Sequence, residues 1–133
     1  NISVFGEKHG YQEPHDTGFE RVQREQSATI VWNTLAEIQP KKLPLIWNTF
    51  PFHPHKPDKP LTNRRPRKPE MRQGADFLNM MIDLFHPEQI VAIGNVAHET
   101  LTGMGHDCVK VRHPAQGGKN DFVAGLTAIF AEL

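Results

Sequence analysis

Apolar positions recur along the chain in two ways, and each way predicts a different element. Steps of three and four residues predict amphipathic helices over 19–38, 69–85, 95–101 and 122–133. Short apolar runs predict buried strands over 43–50 and 89–94, and an alternating run predicts an edge strand over 108–112. Helices and strands alternate, with linkers long enough for parallel crossovers. The order predicts an α/β fold, a three-layer α/β/α sandwich with a short parallel sheet.

Polar side chains follow the predicted strands where those strands end. In open parallel sheets, ligands bind outside the carboxyl ends of the strands, and Asn48, Gly94 and His113 occupy these positions. The Asn48 amide suits recognition of a planar ring, and Phe50 offers an aromatic face beside it. The His113 imidazole suits donation to an oxygen on which negative charge grows. The alternatives are an Asn48 that satisfies loop carbonyls, a Phe50 in the core and a His113 that caps the last strand.

The segment 51–69 predicts a long loop, because its many prolines remove backbone donors and forbid a helix or a central strand. Between positions 56 and 72, seven basic residues accompany two acidic ones, although the whole chain balances 15 basic against 15 acidic residues. A local excess of positive charge favours a phosphate-rich partner. The alternative is a solvated loop whose charges only keep the protein soluble.

Length and composition exclude several kinds of protein. A chain of 133 residues predicts a single domain over 1–133. The lone Cys108 rules out an internal disulfide and a cysteine-ligated cluster built by this chain alone. His53 and His55 lack a third ligand at workable spacing, so no metal is expected. No apolar run approaches the roughly 18 residues of a membrane span, and no leader is visible, so we expect a soluble, intracellular protein.

Four segments carry a more specific pattern. In chain order they are WNTFPFHPH at 47–55, NRRPRKPE at 63–70, IVAIGNVA at 90–97 and VRHPAQGGK at 111–119. Together they resemble the uracil-DNA glycosylase superfamily in order and spacing. The resemblance implies a monomeric DNA repair enzyme that acts on genomic DNA in the cytoplasm, hydrolyses the N-glycosidic bond of uracil and releases free uracil without a cofactor. Such an enzyme flips the base out of the stack, because the bond is unreachable inside a duplex.

The resemblance also assigns roles to individual residues. Asn48 corresponds to the residue that reads the uracil edge, and His113 to the histidine that stabilises the departing uracil anion. The turn after His113 corresponds to the loop that presses into the minor groove of DNA, and it comprises Pro114, Ala115, Gln116, Gly117, Gly118 and Lys119. The basic residues expected to face DNA are Arg64, Arg65, Arg67 and Lys68.

The chain departs from the family pattern in two places. Ala115 stands where the family has a serine, so phosphate contact would rest on backbone amides and on Lys119. The family's glycine-rich first motif, which includes a water-positioning residue, has no counterpart in residues 1–40. We therefore expect an N-terminally truncated domain that lacks the first strand; the alternative is that residues 2–5 replace this strand. The iron–sulfur branches of the family need four cysteines and are set aside.

Two further interpretations stay open from the sequence. The first is a non-catalytic, nucleic-acid-binding remnant of the same fold, which the missing motif makes possible. The second is a flavodoxin-like domain that binds a nucleotide or another small molecule.

Overall fold

The computed structural model describes residues 11–12, 23–24, 26–52, 54–60, 62 and 64–133. Its elements, in chain order, are β1 Tyr11–Gln12, β2 Gln23–Arg24, α1 Gln26–Ile38, α2 Lys68–Phe85, β3 Val91–Ile93, α3 Asn95–Gly103, β4 Val109–Val111 and α4 Lys119–Ala131. Strands β1 and β2 pair antiparallel, whereas β3 and β4 form a short parallel sheet. The chain divides into a first unit, Asn1–Pro44 with Val111–Leu133, and a second unit, Leu45–Lys110.

Helices α1 and α4 build the core of the first unit. Leu35 of α1 is 2% exposed, Phe122 of α4 is fully buried, and the two helices contact each other. Thr34 is also buried, and its hydroxyl donates to the carbonyl of Ile30 at 2.7 Å, so its polar group is satisfied. Burying an apolar side chain of this size stabilises a fold by about 1.5–3 kcal/mol. Helix α4 is therefore firmly held, and it directly follows the turn that contains His113.

The second unit contains β3, α3 and the first two residues of β4. Helix α3 packs on β3, and Ala92 and Leu101 are 1% and 4% exposed at this contact. Gly94 is the N-cap residue of α3. Gly94 has a φ of 88°, which glycine adopts without the steric cost that a Cβ brings. Asn95 begins the helix, and its side-chain oxygen accepts a hydrogen bond from Lys110 at 3.2 Å.

The predicted buried strand over 43–50 is wrong. All eight of these residues are described, none belongs to a strand, and most are exposed, Leu43 by 57% and Leu45 by 56%. The run is apolar enough for a strand, but Pro44 offers no N–H to a ladder and no described strand pairs with the segment. Its end is instead fixed by helix packing, because Thr49 lies against Gly74 of α2.

The other predicted elements agree with the structure more closely. The α/β class with a short parallel sheet is confirmed. Four helices and two of the three strands appear where the apolar pattern places them, with ends shifted by a few residues.

The first predicted helix begins later than expected, at Gln26, because Gln23–Arg24 pairs with Tyr11–Gln12 as a strand. Residues 19–22 of that prediction lie outside the described residues. The loop predicted over 51–69 ends at α2, which starts at Lys68.

We predict that Gly74→Ala destabilises the protein. A Cβ at position 74 would overlap with the carbonyl oxygen of Thr49, and a backbone atom cannot move aside as a flexible side chain can. The expected loss is about 1–3 kcal/mol in the free energy of unfolding, measured by urea denaturation. The matched control is Gly103→Ala at the end of α3, where a Cβ would meet no atom within 4 Å. Equal stabilities of the two variants would contradict the prediction.

Candidate active site

A tight turn connects β4 to α4 and contains His113. Pro114 and Gly118 are buried at its base, whereas Gln116 and Gly117 are exposed at its tip. The two tip residues have positive φ angles, 52° and 78°, so the backbone reverses direction within two residues. The turn thus holds its ends inside the first unit and displays its tip to solvent.

The His113 ring has a defined hydrogen-bonding direction. The backbone N–H of Ala115 donates to Nδ1 of His113 at 3.1 Å. Since Nδ1 acts as the acceptor, a neutral ring carries its proton on Nε2. The side chain is partly buried, so Nε2–H is a donor held by the turn rather than one that rotates in open solvent.

Gly118 allows the turn to close. A Cβ at this position would overlap with the carbonyl oxygen of His113 and would lie 3.1 Å from the carbonyl oxygen of Ala115. The N–H of Gly118 donates to that Ala115 oxygen at 3.1 Å, and the Gly118 carbonyl accepts the first helical bond of α4, from Phe122, at 2.9 Å. Lys119 follows as the first residue of α4 and is exposed. His113 through Lys119 therefore lie together in one turn at the start of α4.

Asn48 and Phe50 belong to the second unit. Asn48 is exposed, and it does not follow a strand as the sequence predicts, since residues 43–50 form none. Phe50 is partly buried, and its ring packs edge-to-face against Phe52 at a centroid distance of 5.4 Å. Phe52 packs in the same manner on Phe77 of α2 at 5.7 Å. The aromatic side chains near Asn48 thus form a packed row that holds this segment on α2.

Arg64 is bound within the protein. Its guanidinium forms a two-pronged ion pair with Glu70, with Nη1 to Oε2 at 2.8 Å and Nη2 to Oε1 at 2.6 Å. It also donates to the carbonyl of His55 from Nε at 2.9 Å and to the carbonyl of Arg65 from Nη1 at 3.3 Å. The backbone N–H of Arg64 reaches the carbonyl of Pro54 at 3.1 Å. The Arg64 side chain therefore connects two parts of the loop before α2, at His55 and at Arg65, to Glu70 in the first turn of α2.

Glu70 completes this arrangement and is a residue that the sequence analysis missed. Besides Arg64, it accepts a hydrogen bond from the backbone N–H of Arg67 at 2.7 Å, as the third residue of α2 often does at a helix start. The hydrogen bonds from Arg64, and then that from Arg67, lower the pKa of the Glu70 carboxyl to about 2. A glutamate at the start of a predicted helix, close behind a run of arginines, is the signal that could have identified it.

The four cations that follow Arg64 point outward. Arg65, Arg67, Lys68 and Arg72 are all exposed. Among the residues that the structure describes, the side chains of Arg65, Lys68 and Arg72 have no hydrogen-bond or ion-pair partner. We call these four residues the basic surface.

The described residues contain neither a metal-ion cluster nor a membrane-spanning helix. Among the described residues, no three His, Cys, Asp or Glu side chains lie close enough to hold a metal ion. His53, one of the two loop histidines, lies outside the described residues. No helix in the described part of the chain is long and apolar enough to cross a membrane.

The sequence of this chain matches a model of a known protein family. A family model described as Uracil DNA glycosylase superfamily matches residues 14–130, which is most of the chain. The chain belongs to the uracil DNA glycosylase superfamily. No curated protein and no solved structure matches it with significance.

Membership in the uracil DNA glycosylase superfamily indicates a glycosylase-like function with DNA as the substrate class. The matched range includes the His113 turn, the Asn48 segment and the basic surface.

We predict that the Arg64–Glu70 pair makes stability depend on pH in the acidic range. The Glu70 pKa is about 2 in the folded protein against an ordinary value of 4.5, so the pair stabilises the fold fully above about 4.5 and loses this effect as the pH falls towards 2. The difference in free energy of unfolding between the wild type and Glu70→Gln should therefore shrink over this interval in urea titrations. A difference that stays constant from pH 5 to about pH 2 would contradict the prediction.

Proposed function

We propose that this protein is a uracil-DNA glycosylase that hydrolyses the N-glycosidic bond of uracil in DNA, with His113 as the catalytic residue. The bond between C1′ and N1 breaks, the electron pair leaves with uracil as an anion, and a water oxygen bonds to C1′ and releases a proton. The sequence pattern places no lysine as a nucleophile, so water attacks directly. The family motif that positions this water has no counterpart in residues 1–40, so the proposal assigns no residue to that role. Uracil and a base-free sugar are the products.

The hydrogen bond from Ala115 N–H to His113 Nδ1 is the observation that carries the proposal. It leaves Nε2–H of a neutral imidazole as a fixed donor, and such a donor stabilises negative charge that develops on a uracil oxygen as the bond breaks. A donor fixed in advance needs little reorganisation during the reaction. The effect is larger where bound DNA excludes water from the site.

The turn around His113 also suits the extrusion of a base. The two ends of the turn are anchored by the buried Pro114 and Gly118, while Gln116 and Gly117 are exposed at its tip. A tip of this kind can enter the minor groove and fill the space that a flipped nucleotide leaves. Ala115 and Lys119 complete the DNA-facing turn, with the exposed Lys119 ammonium available to a phosphate.

We assign base recognition to Asn48. Its exposed amide can donate to one uracil oxygen and accept from the ring N–H, a pattern that cytosine does not complement. Phe50 packs on Phe52, and Phe52 packs on Phe77 of α2, so Phe50 contributes to this subsite mainly by holding the backbone near Asn48.

Removal of the His113 ring should slow uracil release. We expect His113→Ala to lower the single-turnover rate roughly 100- to 1000-fold, which is typical for the loss of one donor to a developing anion. The matched control is His98→Ala on α3, which should leave the rate unchanged. The rate is measured with a uracil-containing oligonucleotide by alkaline cleavage of the product.

An unchanged rate for His113→Ala would refute the catalytic assignment. A wild-type protein that binds DNA but releases no uracil would instead favour the non-catalytic, nucleic-acid-binding alternative. In that case the His113 turn would serve only to hold DNA.

Replacement of the Asn48 amide should change base choice. Asn48→Asp loses the donor that uracil requires and retains acceptors that can take a hydrogen bond from the amino group of cytosine. We expect the ratio of uracil release to cytosine release to fall by at least about tenfold, the factor that 1.4 kcal/mol supplies. The matched control is Asn33→Asp, an exposed position on α1. An unchanged ratio would remove Asn48 from base recognition.

A further inference from the structure

The Arg64–Glu70 pair has the geometry of a support rather than of a DNA contact. Arg64 is 23% exposed and Glu70 27% exposed, and four of the five N–H donors of the guanidinium are directed at Glu70 and at loop carbonyls. A phosphate that bound Arg64 would have to displace the Glu70 carboxylate, which already accepts the two parallel hydrogen bonds that a pair of phosphate oxygens would take. Arg64 is thus occupied, although the sequence alone groups it with its basic neighbours.

The pair also determines where those neighbours lie. Arg65 follows Arg64 directly, and its carbonyl is one of the oxygens that the Arg64 guanidinium holds. The backbone N–H of Arg67 is held by Glu70. Lys68 and Arg72 lie on the first turns of α2, which begins at this point. All four members of the basic surface are therefore attached to a backbone that the pair fixes.

We propose that Arg64 and Glu70 are positioning residues, and that the phosphate backbone of DNA is bound by the basic surface of Arg65, Arg67, Lys68 and Arg72. The proposal rests on the proposed function insofar as DNA is the partner. It moves the DNA contact expected at Arg64 to neighbouring side chains. It also gives an acidic residue, Glu70, a role in binding a polyanion.

This arrangement predicts an effect opposite to that of simple electrostatics. Glu70→Gln makes the protein more positive, so charge alone would tighten DNA binding. If Glu70 holds the basic surface in place, the same change weakens binding, because side chains on a loosened loop lose more conformational freedom when they bind. The sign of the change therefore separates the two explanations.

The experiment measures binding of the full chain to a labelled, uracil-free duplex by fluorescence anisotropy at several salt concentrations. We expect Glu70→Gln to weaken binding roughly tenfold near 0.1 M salt, about the effect of losing one phosphate contact. The matched control is Asp83→Asn, which makes the same charge change at an exposed position further along α2 and should leave binding unchanged or slightly tighter. Arg65→Gln and Arg67→Gln should each lower the slope of log K against log salt by about 0.9.

A second measurement separates positioning from loss of fold. With uracil-containing DNA, Glu70→Gln should raise KM and leave the single-turnover rate at saturating DNA unchanged, whereas a misfolded protein would lose both. Arg64→Lys keeps the charge but not the two-pronged geometry, and it should raise KM in the same way.

Two results would overturn the inference. One is binding by Glu70→Gln that is as tight as, or tighter than, that of the wild type. The other is salt slopes that fall for Arg64→Gln but not for Arg65→Gln or Arg67→Gln. Because the duplex contains no uracil, a failure of the wild type to release uracil would count against the proposed function and leave this inference standing.

Discussion

The close approach of Gly118 to the carbonyl oxygen of His113 is the constraint on which the candidate active site depends. No side chain fits at position 118, because a Cβ would occupy the space of that oxygen. The approach allows the turn to close on itself, with the Gly118 N–H bound to the Ala115 carbonyl and the Gly118 carbonyl bound to the first turn of α4. The buried Phe122 then fixes α4 in the first unit. The position of the histidine thus follows from backbone packing and core burial together.

A second main-chain interaction explains how the turn tolerates alanine at position 115. The group that sets the proton on the His113 ring is the backbone N–H of Ala115, which every residue except proline provides. Alanine in place of the family's serine therefore removes a hydroxyl and leaves the histidine geometry untouched. Orientation of the ring is carried by the main chain, so it does not depend on which side chain stands at position 115.

The sequence predicted the elements whose signals are periodic and local. Helices α2 and α4 and strand β3 agree because an amphipathic stripe or a strongly apolar run is decided by burial of those residues themselves. The prediction of a strand over 43–50 was wrong because a strand also needs a partner strand, and an apolar run does not specify one. Of the candidate site, the His113 turn was predictable from its glycines and its position after a strand. The Arg64–Glu70 pair was not predictable. The two residues are six positions apart in the sequence, and the conformation of the loop between them brings their side chains into contact.

The same pair shows why counting charges describes a binding surface incompletely. Pairing Arg64 with Glu70 removes one positive and one negative charge, so the local excess of positive charge that the sequence predicts is unchanged. The long-range field that attracts DNA is therefore unaffected by which arginine is paired. What the pairing changes is the position of the remaining charges. Arginines on a mobile loop would need to be ordered when DNA binds, whereas Arg65 and Arg67 are attached to a backbone that Arg64 and Glu70 already hold. An acidic residue can in this way favour the binding of a polyanion, because the order that it gives to neighbouring cations outweighs the repulsion that it adds.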